Sequence, residues 1–325
     1  MSTTSTAGGQ RPNPLAPPRL DEKISHRADR TFSGLARGAG IFILVTLAFV
    51  AIFLTLESIP ALTAAPEDIP GGEGFLAYAG PLLFGTVWAA LLAMLVSVPL
   101  AIGIALFISH YAPRRLAQSL GYVIDLLAAI PSVVYGLWGI AVLAPALVGF
   151  YQWLAANLSF IPFFAGPASA TGRTILTAAL VLAIMVLPIM TAINREIFLQ
   201  TPRLHEEAAL ALGATRWEMI RMTVFPYARS GIISGAMLGL GRALGETMAV
   251  AMVLSTTGGL VTLNLISSAN PSTIAANIAL KFPESSGLAV NALVATGLVL
   301  FIVTFAVNFA ARAIIARRAE FSGAN

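Results

Sequence analysis

The 325-residue chain has no cysteine, only two lysines and three histidines, and charged residues make up just 10% of it. Without cysteine there is no disulfide framework and no thiolate metal site. His26, His110 and His205 are scattered through polar stretches without metal-ligand spacing. Lys23 stands in Glu-Lys-Ile and Lys281 in Leu-Lys-Phe, so no Gly-Lys-Ser/Thr loop is present to cradle a nucleotide phosphate. No nucleophile–base constellation occupies a loop, and the chain is not expected to hydrolyse ATP itself; an energy-coupled role would need a separate ATPase. No cofactor and no nucleic-acid partner are expected. The charged fraction lies far below the roughly 25% of soluble domains. With 57% hydrophobic residues, the chain reads as an all-α polytopic membrane protein.

Six hydrophobic stretches are each long enough to cross ~30 Å of hydrocarbon. They lie near residues 38–58, 81–109, 117–147, 174–194, 230–256 and 288–312. The third is longer than one span needs, and Ile130-Pro131-Ser132 inside it predicts a kink or break. Pro99 and Pro188 are expected to kink the second and fourth. Residues 1–37, rich in Ser, Thr, Pro, Gly and charge, read as a disordered cytoplasmic tail. A six-span transmembrane domain is expected over 38–318, with a short cytoplasmic tail at 319–325. The aromatic run at 149–172 and the Ser/Thr/Asn/Gly-rich 257–287 read as outer loops, neither large enough for a ligand-capturing domain.

Orientation follows from the basic residues. With the N-terminus inside, Arg114, Arg115, Arg195, Arg203, Arg216, Arg221, Arg229, Arg312, Arg317, Arg318 and the arginines of the N-terminal tail are cytoplasmic. Only Arg173 and Lys281 then fall outside, beside Glu57, Glu67, Asp68, Glu73 and Glu284. Both termini are placed in the cytoplasm.

The longest polar interruption between spans is 201–226, TPRLHEEAALALGATRWEMIRMTVFP. It reads as two short helices. Thr201 is the expected N-cap with Pro202 at the first helical position. Gly213 closes the first helix in the left-handed conformation. Thr215 and Glu218 form a capping box for the second, which Phe225-Pro226 ends. Ala208 and Ala209 make a low patch beside the Glu207 carboxylate, suited to close approach by another backbone. An ordinary solvated helical loop would also fit these residues. Glu207, Ala208, Ala209, Gly213 and Pro226 resemble the Glu-Ala-Ala coupling loop of bacterial ABC-importer permeases, although Thr223 and Phe225 replace the family's usual Ile and Leu.

Arg242 and Glu246 sit in the middle of the fifth stretch, four residues apart on what a continuous helix makes one face. Arg242 lies 13 residues beyond Arg229, roughly 20 Å of helical rise, too deep for easy snorkelling. An intramembrane charge costs at least ~2.5–3.5 kcal/mol and usually faces a cavity or a partner. In one reading the two charges neutralise each other and lock the bundle. In the other, Arg242 lines an anion pathway and Glu246 neutralises it between substrates; the permanently charged, planar guanidinium suits an oxyanion. Asp125, near the cytoplasmic end of the third stretch, is a lesser pathway candidate.

GRALGETMA at 241–249, IPSVVYGLWGI at 130–140 and NREIFLQTP at 194–202 together resemble the PstC-like permeases of phosphate-specific ABC importers, from about residue 40 to 318. The resemblance implies a type I (MetI-like) permease fold. It also implies a PstA-like permease partner, an ATPase homodimer that docks on the coupling segment, an extracytoplasmic phosphate-binding protein, and inorganic phosphate as cargo. A sulfate or molybdate permease also carries this kind of coupling loop. An ion-coupled secondary transporter using Arg242 and Glu246 is a reading from a different class, as is a membrane-embedded structural subunit.

Overall fold

The computed structural model of the chain describes residues 26–257 and 259–319. Helix α1 covers His26–Thr63, so it begins well before residue 38 and makes the latter part of the expected tail helical. Residues 1–25 and 320–325 lie outside the described residues. The chain divides at Val50. The first unit carries the start of α1, where Phe32, Phe42, Leu44 and Phe49 are all highly exposed. Contiguous exposed apolar surface of this kind marks a face meant for lipid or partner rather than water.

The second unit, from Ala51 onward, holds the remaining helices. They are α2 (Phe75–Leu106), α3 (Arg114–Ala128), α4 (Ser132–Trp138), α5 (Ala144–Asn157), α6 (Ile175–Leu199), α7 (Arg203–Ala211), α8 (Arg216–Met219), α9 (Phe225–Leu244), α10 (Met248–Val253), α11 (Ile274–Lys281) and α12 (Leu288–Ala319). Among the described residues there is no strand, only an isolated bridge between Thr256 and Asn270. Five helices are long and apolar enough to cross a membrane: Arg30–Thr63, Phe75–Tyr111, Ser132–Asn157, Ile175–Leu199 and Leu288–Ala313. The sixth expected span is divided between α9 and α10, with a break at Gly245–Thr247.

Helix α6 is the axis of the bundle, with Ile175, Leu182, Met185, Val186 and Met190 fully buried. Thr174 caps its start, its hydroxyl accepting from the Thr177 amide at 3.2 Å. Helix α2 packs against it, and the buried edge of α2 is a stripe of small residues four apart: Ala89, Ala93, Ser97, Ala101 and Ala105. Small side chains let backbones approach in a medium where water supplies no hydrophobic drive. Helix α9 uses the same device on its own side. A Cβ on Gly231 would collide with Ile197, one on Gly235 would sit 3.2 Å from Asn194 Oδ1, and one on Gly239 would sit 2.5 Å from Met190 Sδ. Pro99 and Pro188 lie inside α2 and α6, and both helices run on past them.

The third hydrophobic stretch breaks where the proline predicts, between α3 and α4. Pro131 becomes the N-cap of α4, and the Tyr135 hydroxyl donates to the Leu127 carbonyl at 2.9 Å across the break. Helix α3 is thereby a separate amphipathic helix, and the span proper is Ser132–Asn157. Its end takes in Tyr151, which the sequence reading placed in an aromatic outer loop. Tyr151 is instead fully buried, with its hydroxyl 2.7 Å from Thr177 Oγ1.

Two boundaries of the 201–226 segment differ from expectation. Helix α7 starts at Arg203 with Pro202 as N-cap, and Thr201 is buried with its hydroxyl unpartnered. The second helix does not stop at Phe225-Pro226. A π turn over Ile220–Val224 joins α8 to α9, with the Phe225 amide bonded to the Ile220 carbonyl. The five-residue register lets the chain pass a proline that lacks an N–H and would clash in a regular α turn. Gly213 does take φ +87°, and both bonds of the Thr215–Glu218 capping box are formed.

The 257–287 stretch is not merely an outer loop. Ile266, Asn270 and Ile274 are fully buried. The Asn270 amide donates to the carbonyls of Ser255 (2.9 Å) and Ser267 (3.0 Å), and its oxygen accepts from the Ile175 amide (3.1 Å). The Ile274 amide donates to Thr86 Oγ1 at 2.9 Å. These bonds satisfy irregular backbone that lies inside the protein.

Candidate functional site

Arg242 stands in the last turn of α9, one turn beyond the glycine that lets α9 meet Met190. It lines a cavity of about 540 Å³ together with Ser234, Met237, Leu238 and Gly241 of α9, Asn308, Ala311 and Arg312 of α12, and Ile189 of α6. Its Nε is buried with no hydrogen-bond partner among the described residues. Tyr135, just past the break before α4, lies within electrostatic range of it.

Glu246 makes no ion pair within 4.0 Å with Arg242. The helix ends at Leu244, so the four-residue spacing no longer places the two on one face. Glu246 is 9% exposed, and its Oε1 accepts from the Ala249 amide at 3.1 Å. It caps the start of α10, satisfying a backbone donor that a helix start otherwise leaves free. Among the described residues the one contact within 4.0 Å between a basic and an acidic side chain is His110 Nε2 to Glu206 Oε1, at 3.5 Å, well away from Arg242 in the chain. Asp125 is not brought to this cavity either. It is exposed on α3 and lines a different one with Arg195 of α6.

Arg312 and Asn308 join Arg242, whereas sequence reasoning counted Arg312 only as a cytoplasmic flanking charge. The available signal is their four-residue spacing near the end of an otherwise apolar helix, which puts both on one face.

In the 201–226 segment, Glu207 and Ala208 are exposed, but Ala209 is not. Ala209, 8% exposed, packs with Leu106, Phe198, Met219, Ile220 and Val224. The low patch therefore consists of Ala208 alone beside Glu207, and Ala209 seats α7 on its own subunit. Leu204 is 77% and Leu212 90% exposed, flanking that patch with bare apolar surface. Trp217 stacks edge-on against Phe225 with centroids 6.2 Å apart. Glu218 closes the capping box, its carboxylate accepting from the Thr215 amide at 2.8 Å. Those bonds from the Thr215 amide and hydroxyl hold its pKa below the ordinary value.

A helical bundle clad in apolar side chains around a cationic cavity is the build of a membrane permease. Residues 97–320 match the family of binding-protein-dependent transport system inner membrane components, and the chain belongs to that family. It is 43% identical over 315 residues to the phosphate transport system permease protein PstC 2 of Mycobacterium tuberculosis, covering 93% of this chain and 97% of that one. It is 41% identical over 309 residues to the PstC of Mesorhizobium japonicum, covering 91% and 92%. The resemblance carried by GRALGETMA and IPSVVYGLWGI thus extends over nearly the whole length. Among solved structures the fold is similar to a bacterial ABC transporter involved in alginate import, with TM-score 0.58, 16% identity, and 92% of this chain and 99% of that chain covered. It is also similar to the MetNI methionine ABC transporter in inward-facing form, with TM-score 0.51, 14% identity, and 75% and 95% covered.

Proposed function

We propose that the chain is the PstC-type permease subunit of an ATP-driven importer of inorganic phosphate. The observation that carries this reading is the Arg242 cavity in a chain so similar to PstC permeases. Two arginines, Asn308 and Ser234 line one space, and among the described residues no carboxylate lies within 4.0 Å of either guanidinium. A planar guanidinium with free donors is suited to the paired oxygens of phosphate. In a low-dielectric bundle its charge is costly until an anion or water supplies the missing partner. In this reading Arg242 receives the anion, Arg312 accompanies it at the end of α12, and Glu246 positions the α9–α10 break. Asp125 has no part in this cavity.

A PstA-like permease completes the pathway, and an extracytoplasmic phosphate-binding protein delivers the anion. An ATPase pair docks on the 201–226 segment, where Glu207, Ala208, Gly213 and the bare Leu204 and Leu212 face outward, while Ala209 holds the segment to its own bundle. Both termini and that segment are cytoplasmic, as the distribution of arginines favours. The permease domain occupies 38–318.

The test is uptake of radiolabelled phosphate in cells lacking the native subunit, with membrane abundance measured in parallel. Arg242→Gln is expected to abolish uptake at unchanged abundance. Competition with sulfate and molybdate separates the oxyanion alternatives, and block by either at equimolar concentration would assign a different cargo.

A further inference from the structure

We propose a second anion site, specific for a phosphoryl group, between α3, α6 and the start of α7. The cavity that Asp125 lines measures about 470 Å³ and shares no residue with the Arg242 cavity. Arg114, Arg195 and Arg203 line it, with Gln118 as a further donor and Asp125 as its one carboxylate. None of the three guanidinium groups lies within 4.0 Å of a carboxylate among the described residues. Three cations against one anion leave an excess of two positive charges.

The backbone adds to that excess. Arg114 opens the fifteen-residue α3 and Arg203 opens the nine-residue α7, so two helix N-termini border the same cavity. Their free N–H groups and dipoles favour an anion. The wall is built rather than incidental. A π turn at Phe107–Tyr111 closes on the Ala112 amide, 2.8 Å from the Phe107 carbonyl, and brings Ser109 into the lining. Gly121 has no side chain, and the Arg195 guanidinium occupies the place where a Cβ would project. That seat holds the Arg195 fork against α3, in the cavity that Asp125 and Arg114 also line.

A phosphoryl group suits the charge and the donors. A phosphoryl group carries at least one negative charge near neutral pH and offers several acceptor oxygens to arginine forks. Two sources share this chemistry: an anionic phospholipid headgroup and free inorganic phosphate. Exposed Tyr122 and Leu199 on the cavity rim give an acyl chain an apolar path beside the headgroup. The site does not depend on phosphate being the transported cargo.

The experiment uses the full chain, purified in detergent and in nanodiscs. Native mass spectrometry reads retention of phosphatidylglycerol, and equilibrium dialysis with radiolabelled inorganic phosphate reads free-anion binding. Arg195→Gln and Arg114→Gln are each expected to weaken the retained ligand about tenfold, the worth of one charge-assisted hydrogen bond. Arg242→Gln is expected to leave phosphatidylglycerol retention unchanged. The phosphate dialysis compares Arg114→Gln and Arg195→Gln within an Arg242→Gln background, so that the transport cavity does not contribute and failure of this site is separated from failure of the transport pathway. Lipid retention sensitive to both variants identifies a headgroup site; phosphate binding sensitive to both identifies a free-anion site. Arg114 is exposed at a helix start, so its substitution leaves folding intact. Equal retention by Arg114→Gln and the native chain, or no retention of either ligand by the native chain, overturns the proposal.

Discussion

Arg242 and Glu246 stand four residues apart yet make no ion pair, because the helix that would align them ends between them at Leu244. Arg242 leaves its Nε buried and unpartnered, while Glu246 spends its carboxylate on the Ala249 amide at 3.1 Å. One charge therefore faces a cavity and the other holds a helix start. A pair that merely locked the bundle would be bonded to each other.

The separation predicts the outcome of a double-mutant cycle. Arg242→Gln should abolish phosphate uptake, and Arg242→Gln/Glu246→Gln should not restore it. The coupling between the two changes, read from thermal stability of the purified chain, should stay within about 0.5 kcal/mol, as for residues that do not touch. Glu246→Ala alone should cost about 1 kcal/mol by removing the cap of α10. Recovery of uptake in the double variant would return the pair to a structural role.

The two alanines of the coupling segment should behave differently. Ala208 is exposed, and Ala208→Trp should leave the chain folded and inserted while preventing copurification of the ATPase; Glu207→Lys should do the same by charge. Ala209 is buried, so Ala209→Trp should destabilise the chain itself, by about 1–3 kcal/mol or more from overpacking. Equal ATPase copurification by Ala208→Trp and the native chain would remove the docking surface.

The Glu218 capping box should respond to acid. Its folded pKa lies below the ordinary value of 4.5, so the stabilisation is present above that value and is lost as pH falls through the folded one. Amide protection at Thr215 and Glu218, measured by hydrogen exchange relative to Glu218→Gln, should be greatest near neutral pH and converge with that variant in acid. Identical protection in both chains at pH 7 would show that the cap contributes nothing.

Orientation is testable without background, since the chain has no cysteine. Glu67 and His205 are both exposed. Glu67→Cys should react with an impermeant maleimide added outside intact cells, and His205→Cys only after permeabilisation. The opposite pattern would place the coupling segment on the wrong side for an ATPase.

What the sequence by itself determined was set by chemistry within a few residues. Apolar runs matched to the thickness of a bilayer announce the spans. Pro131 announces the break before α4, because its ring and missing N–H act on the adjacent turn. Gly213 at φ +87° and the Thr215–Glu218 box follow from residues at most three positions apart. Tertiary structure decided everything that depends on how helices meet. The break after Leu244 sends Arg242 and Glu246 to different tasks. The crowding of Phe198, Met219 and Ile220 turns Ala209 inward. Asn270 looks like any loop asparagine until its hydrogen bonds to Ile175 and Ser255 appear. Arg312 with Arg242, and Arg114 with Arg195 and Arg203, come together across long stretches of chain. Helical periodicity reports a face within one helix, whereas these groupings depend on which faces close packing brings together, and that closeness rests on the small residues of α2 and α9.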